Sequence, residues 1–243
     1  MNNNEFCGFL LINKAPGMSS FDCIRKIKKL LPKKTKIGHT GTLDEFAEGL
    51  LIICIKREAT KLITNLINFD KQYIVKAKLG ELTNTLDHTG ETIQKNDLKI
   101  TKDELLDSIN QIGKEYEQTP PIFSALKFQG KPLYKLARKN QKSTEDFNQI
   151  LESKKRIIKI YNLEILEFNY PFYTFKADVS KGTYIRSLAN DIAKNLNSFA
   201  TTYYLQRTHI GNFKLENAIN IDSINSTEDI NKNLHDISEL KNS

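Results

Sequence analysis

One carboxylate stands at the junction in the stretch GHTGTLDEFAEGLLI, Gly38–Ile52, where a polar, glycine-containing loop gives way to an apolar run. This residue is Asp44, and the stretch contains neither a Cys nor a Ser nucleophile. A carboxylate can serve as a covalent nucleophile by itself if it is held ionised and aimed. A nearby bidentate arginine holds it ionised best, and Arg186 in SKGTYIRS is a candidate. The alternative interpretation of Asp44 is a turn or helix-capping residue.

Motifs for other kinds of catalysis are missing from the sequence. We find no H-E-x-x-H, G-x-S-x-G or Walker A pattern, and the four histidines are dispersed. The three cysteines, Cys7, Cys23 and Cys54, form no C-x-x-C pair, which argues against a zinc site and a disulfide framework and fits a reducing cytoplasm. We therefore expect no metal and no cofactor.

Composition describes a soluble, basic protein. Of the 243 residues, 39% are hydrophobic and 27% charged, and the net charge is +7, which favours a polyanionic partner such as nucleic acid. No apolar stretch is long enough to span a membrane, and the N-terminal residues do not form a signal peptide. Seven basic residues between Arg25 and Lys36 directly precede the Asp44 loop. They form either a solvated helix face or a track for phosphates.

The elements that must position these residues alternate irregularly between strands and helices. Strands are predicted at Gly8–Lys14, from Tyr73 to Glu81 and in two runs between Arg156 and Gly182. The run LLIICI, Leu50–Ile55, is either a buried strand or a buried helix turn. Helices are predicted after Ser19 or Ser20, over EATKLITNLINF, after a Thr101–Glu104 capping box, and over GTYIRSLANDIAKNL with Thr183 as its cap. Residues from about Ile219 onward form short helices or fray. The pattern predicts a single α+β domain.

Six segments, in order, resemble the TruB family of pseudouridine synthases, which act on the T-arm of tRNA. Besides GHTGTLDEFAEGLL, they are NKAPGMSS, LGELTNTLDHTGE with the strand that Tyr73 opens, PPIFSALKFQGKPLYKLAR, SKGTYIRSLANDI and LQRTHIGNF. The match spans roughly residues 8–215. The resemblance implies the pseudouridine synthase fold, in which helices flank a central mixed, mainly antiparallel sheet and the active-site cleft lies across it.

The resemblance also implies an isomerase that converts the uridine at position 55 of the T-arm loop to pseudouridine. Asp44 stands at the position of the nucleophile, Arg186 at that of its ion-pair partner, and Tyr73 at that of the tyrosine that stacks on the base and helps to remove its C5 proton. His39 matches the residue that fills the space left by the flipped nucleotide. Lys14 and Tyr184 match positions that line the pocket, and Leu205 matches its apolar wall. For Tyr73, Lys14, Tyr184 and Leu205, a packing or loop-supporting role is the alternative.

Further expectations follow from the same resemblance. The whole chain, 1–243, is expected to be one catalytic domain, with a thumb-like RNA-binding insertion at about 116–157 and a short tail at about 216–243. It would bind the T-arm stem-loop of tRNA as a cytoplasmic monomer, without metal, cofactor or membrane. The chain departs from the family at Glu45 and Glu48, where a proline and a small residue are usual, and at Ala15, since Pro16 is shifted by one.

Two other functions fit parts of the pattern. A tRNA-binding folding helper with weak or lost catalysis would also carry the basic segments, and a basic ribosomal protein would explain the charge but leave the Asp44 loop without a role. The combination of Asp44, Tyr73 and Arg186 favours retained chemistry, because a pure binder does not need all three.

Overall fold

A computed structural model describes residues 6–138 and 144–241. Within these ranges the strands are β1 Gly8–Lys14, β2 Ile37–His39, β3 Glu48–Ile55, β4 Lys71–Leu79, β5 Glu81–Thr83, β6 Thr92–Lys95, β7 Glu115–Gln118, β8 Lys127–Phe128, β9 Lys131–Pro132, β10 Arg156–Asn169, β11 Phe172–Val179, β12 Ala200–Ile210, β13 Phe213–Lys214 and β14 Ile219–Asn220. The helices are α1 Ser20–Leu30, α2 Lys56–Thr60, α3 Ile63–Leu66, α4 Lys102–Ile112, α5 Leu133–Arg138, α6 Thr144–Glu152, α7 Ile185–Lys194, α8 Thr227–Lys232 and α9 Ile237–Lys241, with 3₁₀ turns at Leu215–Asn217 and Ile221–Ser223.

The chain divides into two compact units. Unit 1 contains residues up to Tyr73 together with Leu205 onward, and unit 2 contains Ile74–Tyr204. The strands β4 and β12 contribute residues to both. Parallel pairs, β1 with β14 and β3 with β12, occur among more numerous antiparallel pairs, which confirms the expected mixed sheet. The prediction of one catalytic domain with a thumb stays a prediction.

In unit 1, β1 and β3 pair antiparallel from Gly8 opposite Ile55 to Lys14 opposite Gly49. Apolar layers cover both faces of this pair. One layer holds Leu51, Ile53 and Ile55 against α1, and the other holds Leu50, Ile52 and Cys54 against α2 and α3. Two covered faces explain why LLIICI is apolar throughout, and the structure makes it a strand.

The helix α1 begins where the sequence predicts. Ser19 is the N-cap, and a reciprocal capping box joins Ser19 and Asp22. Residues after Ile219, for which fraying was one expectation, are ordered into short helices that bury Ile221, Ile224 and Ile230 against the α1 layer. Unit 1 therefore closes its core with residues from both ends of the described chain.

In unit 2, β11 and β10 form a long antiparallel pair, with β7 on the other side of β10. The helix α7 packs beside this sheet, since the Tyr173 hydroxyl donates to the Ala189 carbonyl at 2.9 Å. The predicted Thr101–Glu104 box caps α4, and Ser108 of α4 bonds to the Ile192 carbonyl of α7. The strand β4 alternates as predicted, with Val75, Ala77 and Leu79 buried.

One local prediction is wrong, and another is confirmed with a break. The segment EATKLITNLINF is helical, as its period indicates, but it is divided between two short helices, and i→i+3 bonds from Leu62 to Ala59 and from Asn65 to Leu62 tighten the chain between them. Thr183 does not cap α7: Tyr184 occupies the N-cap position, and the Thr183 hydroxyl donates to Ser180 instead.

Between β7 and β10, the segment expected to be a thumb contains two small strands and two helices in its described part. Leu133 and Leu136 of α5 pack against Phe147, Ile150 and Leu151 of α6, which makes a separate small core. Its five residues 139–143 lie outside the described ranges, as do residues 242–243 of the tail.

Candidate active site

Asp44 lies in the loop between β2 and β3. Backbone carbonyls of this loop and of a neighbouring turn contact one buried ammonium. The side chain of Lys14, the last residue of β1, is fully buried. Its Nζ lies within hydrogen-bond distance of four carbonyl oxygens, those of Ala47 at 2.5 Å, Met18 at 2.7 Å, Ala15 at 2.9 Å and Glu45 at 3.4 Å. The Asp44 loop and the turn that follows β1 are thereby fastened to one point. These contacts favour the loop-supporting role for Lys14.

The buried position of Lys14 disfavours its positive charge. Burial lowers the pKa of its ammonium to about 8, and the negative charges of Asp44 and Glu45 act in the opposite direction. Asp44 therefore lies within electrostatic reach of a buried cation. Because water cannot screen this cation fully, its field acts on the loop more strongly than that of a surface lysine would.

A second buried cation, Arg207 of β12, bridges the two ends of the loop. Its Nε donates to the Leu50 carbonyl at 2.8 Å and its Nη2 to the Gly41 carbonyl at 3.2 Å. Gly49 has a φ of +108°, and a Cβ there would collide with the Arg207 carbonyl, so only glycine allows this approach. Sequence reasoning did not single out Arg207; its position inside LQRTHIGNF was the available signal.

Local hydrogen bonds shape the backbone beside Asp44. The Ala47 amide donates to the Asp44 carbonyl at 3.2 Å, which closes a turn, and the Leu43 amide donates to Ser20 Oγ at 2.9 Å. The side chain of Asp44 is partly exposed. A partly exposed carboxylate on a rigid backbone can meet a ligand without rearrangement.

The two unusual acids near Asp44 have different surroundings. Glu45 is exposed, whereas Glu48 is half-buried and its Oε1 accepts a hydrogen bond from Gln206 Nε2 at 2.8 Å. Glu48 is thus engaged with the neighbouring strand β12. Glu45 is the residue of the two that is available to repel a polyanion.

His39 ends β2, and its ring is held as a neutral acceptor. The Gly41 amide donates to His39 Nδ1 at 3.2 Å, so this nitrogen carries no proton. Burial and then the nearby Arg207 charge lower the pKa of His39 below its ordinary value. A neutral imidazole is suited to fill space beside a base rather than to pair with a phosphate.

The remaining predicted residues of unit 1 are buried on strands. Tyr73 of β4 is 8% exposed and Leu205 of β12 is 4% exposed. Tyr73 shares the buried face of its strand with Val75, as the alternating pattern indicated. Both positions fit either a pocket wall or packing.

In unit 2, Arg186 is the second residue of α7, and its guanidinium is 5% exposed. Nη1 donates to the Thr85 carbonyl at 2.5 Å and contacts Asp87 Oδ2 at 3.4 Å, and Nη2 donates to the Phe123 carbonyl at 2.9 Å. These contacts fix the plane of the guanidinium. The loop after β5 and the loop after β7 therefore orient Arg186.

Asp87 is a buried carboxylate that sequence reasoning did not assign. Besides facing Arg186, it accepts hydrogen bonds from Thr85 Oγ1 at 2.9 Å and from the Thr89 amide at 3.0 Å. These donors and the Arg186 guanidinium hold the Asp87 carboxyl in one orientation beside the positive charge. Its sequence signal was the motif LGELTNTLDHTGE, in which it is the only aspartate.

Tyr184 is held from two sides within unit 2. The buried Gln118 of β7 accepts from the Tyr184 amide at 2.8 Å and donates to its carbonyl at 3.0 Å. The Arg156 guanidinium carbon lies 4.7 Å from the centroid of the Tyr184 ring. Gln118 therefore fixes the backbone of the residue at which α7 begins. Neither Gln118 nor Arg156 was assigned from the sequence.

The predicted residues thus fall in the two units. Lys14, His39, Asp44, Tyr73 and Leu205 belong to unit 1, and Tyr184 and Arg186 belong to unit 2. The structure brings Lys14 together with the Asp44 loop and brings Arg186 together with Asp87. The ion pair between Asp44 and Arg186 stays a prediction from the motifs.

Among the described residues, no three His, Cys, Asp or Glu side chains gather in the manner of a metal site. Within the same ranges, no helix combines the length and apolarity that crossing a bilayer requires.

Comparison with known proteins identifies the family. Residues 28–185 match the model of the TruB family pseudouridylate synthase N-terminal domain. The chain is 42% identical over 219 residues to tRNA pseudouridine synthase B of Clostridium kluyveri, a match that covers 90% of this chain and 72% of the relative. It is 38% identical over 227 residues to tRNA pseudouridine synthase B of Protochlamydia amoebophila, which covers 93% of this chain and 83% of that relative.

Solved structures agree with this result. The chain superposes on a chain of a Cbf5-Nop10-Gar1 complex with a TM-score of 0.69 at 25% identity, over 97% of this chain and 61% of that one. It superposes on a chain of an H/ACA RNP bound to a substrate RNA containing 2'-deoxyuridine with a TM-score of 0.68 at 22% identity, over 98% and 61%. The chain spans about three fifths of the length of those chains. It has the pseudouridine synthase fold and belongs to the TruB family of pseudouridylate synthases.

Proposed function

We propose that this protein converts the uridine at position 55 of the tRNA T-arm loop to pseudouridine, with Asp44 as the nucleophile. The relatives at about 40% identity carry the name tRNA pseudouridine synthase B. The observation that carries the proposal is the Asp44 loop itself, a partly exposed carboxylate on a backbone fixed by the buried cations Lys14 and Arg207.

The reaction is an isomerisation, so its atoms balance without a co-reactant. The Asp44 carboxylate attacks a carbon of the target nucleotide, the bond from N1 of uracil to C1' of ribose breaks, and the base rotates. A new bond then joins C5 to C1', Asp44 is released, the proton leaves C5, and N1 gains a proton. Either C1' of the ribose or C6 of the base is a possible point of attack.

The nucleophile must be ionised when the RNA arrives. Arg186 is proposed as the counter-charge of Asp44, because a guanidinium offers two parallel donors to a carboxylate. Its contacts with Thr85, Phe123 and Asp87 support this role, since they fix the plane of the fork before substrate binds. Electrostatic stabilisation from such fixed groups needs no reorganisation during the reaction.

The other residues act on the flipped nucleotide. Tyr73 is proposed to stack on the uracil and to help remove the C5 proton, and neutral His39 to fill the space that the base leaves in the RNA. Tyr184 and Leu205 are proposed as walls of the pocket. The substrate partner is the T-arm stem-loop, bound by a cytoplasmic monomer through its basic residues and through the thumb-like segment at about 116–157.

The test is to incubate the protein with an unmodified tRNA transcript and to map pseudouridine by carbodiimide modification and primer extension. We expect one stop in the T-loop for the wild type and for Asp97→Asn, an exposed control acid, and none for Asp44→Asn. Asp44→Asn should still bind the transcript with near wild-type affinity, because it removes the nucleophile and little surface.

Other outcomes are equally informative. Turnover by Asp44→Asn near the wild-type rate would refute the assignment of the nucleophile. Tight tRNA binding by the wild type without a stop at any position would instead favour a folding helper. Arg186→Lys should be severely impaired, since a point charge does not replace a planar fork.

A further inference from the structure

Arg156 is the first residue of β10, and its guanidinium makes no hydrogen bond or ion pair with the described part of the chain. Its Nε is buried and has no partner there. Neighbouring cations on the same segment are paired: Lys155 with Glu152 at 2.7 Å and Lys159 with Glu115 at 3.7 Å. An arginine with unused donors at a partly buried position is costly unless a ligand completes it.

The guanidinium is nevertheless held in one place. Its Cζ lies 4.7 Å from the Tyr184 ring centroid, at stacking distance. It also packs against the backbone of Gly182, where an added Cβ would lie 2.8 Å from Nη1 and 3.0 Å from Cζ. Gly182 has a φ of +78°, so a side chain is disfavoured there on both counts. The backbone of Arg156 pairs with Gln118, the residue that clamps Tyr184.

Two buried arginines, Arg186 and Arg207, show what a structural role looks like in this protein. Arg186 donates hydrogen bonds to the carbonyls of Thr85 and Phe123, and Arg207 donates to those of Gly41 and Leu50. The half-buried Arg156 is positioned by the Tyr184 ring and by Gly182 instead, and it makes no such hydrogen bonds within the described residues. Fixed position together with unused hydrogen-bonding capacity is the property of a preorganised binding group.

The chemistry of the missing partner follows from the donors. A planar guanidinium fork matches the oxygens of a phosphate or a carboxylate. Two exposed lysines add positive charge, which favours a polyanion: Lys154 lies two residues before Arg156, and Lys181 directly precedes Gly182. Tyr184 belongs to the same SKGTYIR segment as Arg186, so a group bound at Arg156 lies beside that segment.

We propose that Arg156 binds a backbone phosphate of the RNA strand that carries the target uridine, with Tyr184 and Gly182 as its support. This proposal rests on the proposed function, which supplies the RNA. It assigns Arg156 to substrate binding and not to the chemical step. Its loss therefore weakens RNA binding, whereas turnover of the fully bound complex changes less.

The first test measures the affinity of the full chain for a T-arm stem-loop RNA at several salt concentrations. For Arg156→Gln we expect binding weaker by about tenfold or more, as for a lost charge-assisted hydrogen bond. The slope of log affinity against log salt should become shallower by about 0.7 to 0.9, the value for one phosphate. Arg156→Lys should keep the slope while losing part of the affinity. Lys159→Gln, a control on the same strand whose charge is already paired, should match the wild type.

The second test locates the phosphate. Stem-loops that each carry one neutral methylphosphonate linkage are bound to the wild type and to Arg156→Gln. We expect one linkage that weakens wild-type binding but causes no further loss in the variant, since the two changes remove the same contact. Losses that simply add at every linkage would overturn the proposal.

Urea unfolding of the same variants distinguishes a purely structural role of Arg156 from a role in RNA binding. If Arg156→Gln unfolds at lower urea but binds RNA with the wild-type affinity and salt slope, Arg156 only supports Tyr184 and the proposal is wrong. Wild-type protein that binds the stem-loop with an Arg156-dependent slope but forms no pseudouridine would refute the proposed function and leave the phosphate contact standing.

Discussion

Replacing Lys14 by methionine should lower the free energy of unfolding, because this lysine fastens the Asp44 loop. Its fully buried Nζ lies within hydrogen-bond distance of four carbonyl oxygens and has three protons to donate. Methionine has similar length and volume, so the change removes the charge and the donors without leaving a large cavity. The variant therefore isolates the contribution of the ammonium.

The magnitude follows from the carbonyls that lose their donor. The Glu45 carbonyl keeps the Gly17 amide as a donor at 2.8 Å, which leaves the carbonyls of Ala15, Met18 and Ala47 to be counted. At about 1 kcal/mol net for each lost hydrogen bond, the free energy of unfolding should fall by about 3 kcal/mol at pH 7.

The difference should also depend on pH. The pKa of Lys14 is about 8 in the folded chain, against an ordinary value of 10.5. Between these pH values the unfolded chain binds more protons at this site, so the stability of the wild type rises with pH relative to the variant. A shift of this size corresponds to about 3 kcal/mol, so the deficit of Lys14→Met should grow by up to that amount toward pH 10.5.

The assay is urea unfolding at pH 7 and at several pH values up to 10, with Lys33→Met as a control at an exposed lysine. The control should stay within about 0.5 kcal/mol of the wild type. An unchanged unfolding midpoint for Lys14→Met at pH 7 would refute the reasoning that the ammonium holds the loop. A deficit that shrinks as the pH rises would refute the direction of the pKa shift.

Three other changes test the site. Asp87→Asn should lower the single-turnover rate constant at least tenfold with little change in RNA affinity, because Arg186 loses its buried counter-charge; an unchanged rate constant would contradict this role. In His39→Gln, stability should fall less than in the wild type between pH 7 and 5, because a lowered folded pKa means that acid protonates His39 at a cost to the folded state; equal losses in urea unfolding would argue against it. Gly49→Ala should destabilise by about 2 to 4 kcal/mol, since it combines positive φ with a collision at the Arg207 carbonyl; a wild-type melting temperature would contradict this.

Much of the local structure was predictable because its causes are local. The N-cap of α1, predicted at Ser19 or Ser20, the capping box at Thr101 and the alternation along β4 depend on neighbouring residues, and all three predictions are confirmed. The family could also be recognised, since the six motifs occur in order along the chain. The run LLIICI stayed open because only the layers on both faces of β3 decide between strand and helix.

The unpredicted features depend on contacts between distant residues. The backbone of Tyr184, where α7 begins, is fixed by Gln118, 66 residues away, so a pattern limited to Thr183 and its neighbours could not locate this contact. The carbonyls bound by Lys14 and Arg207 are backbone groups, and every residue has one. No residue type therefore marks them in the sequence.

Unit 1 is assembled from two distant parts of the chain, which has a consequence during synthesis. The backbone of Phe9 in β1 exchanges hydrogen bonds with His235, and the α1 layer is completed by Ile221, Ile224 and Ile230. A ribosome delivers these partners more than 200 residues after β1, whereas unit 2 is continuous from Ile74 to Tyr204. Unit 2 can therefore form while the apolar layers on β1 and β3 are covered only in part, by α1, α2 and α3. In this interval unit 1 still exposes the apolar surface that its last residues will cover, and a chaperone could bind there.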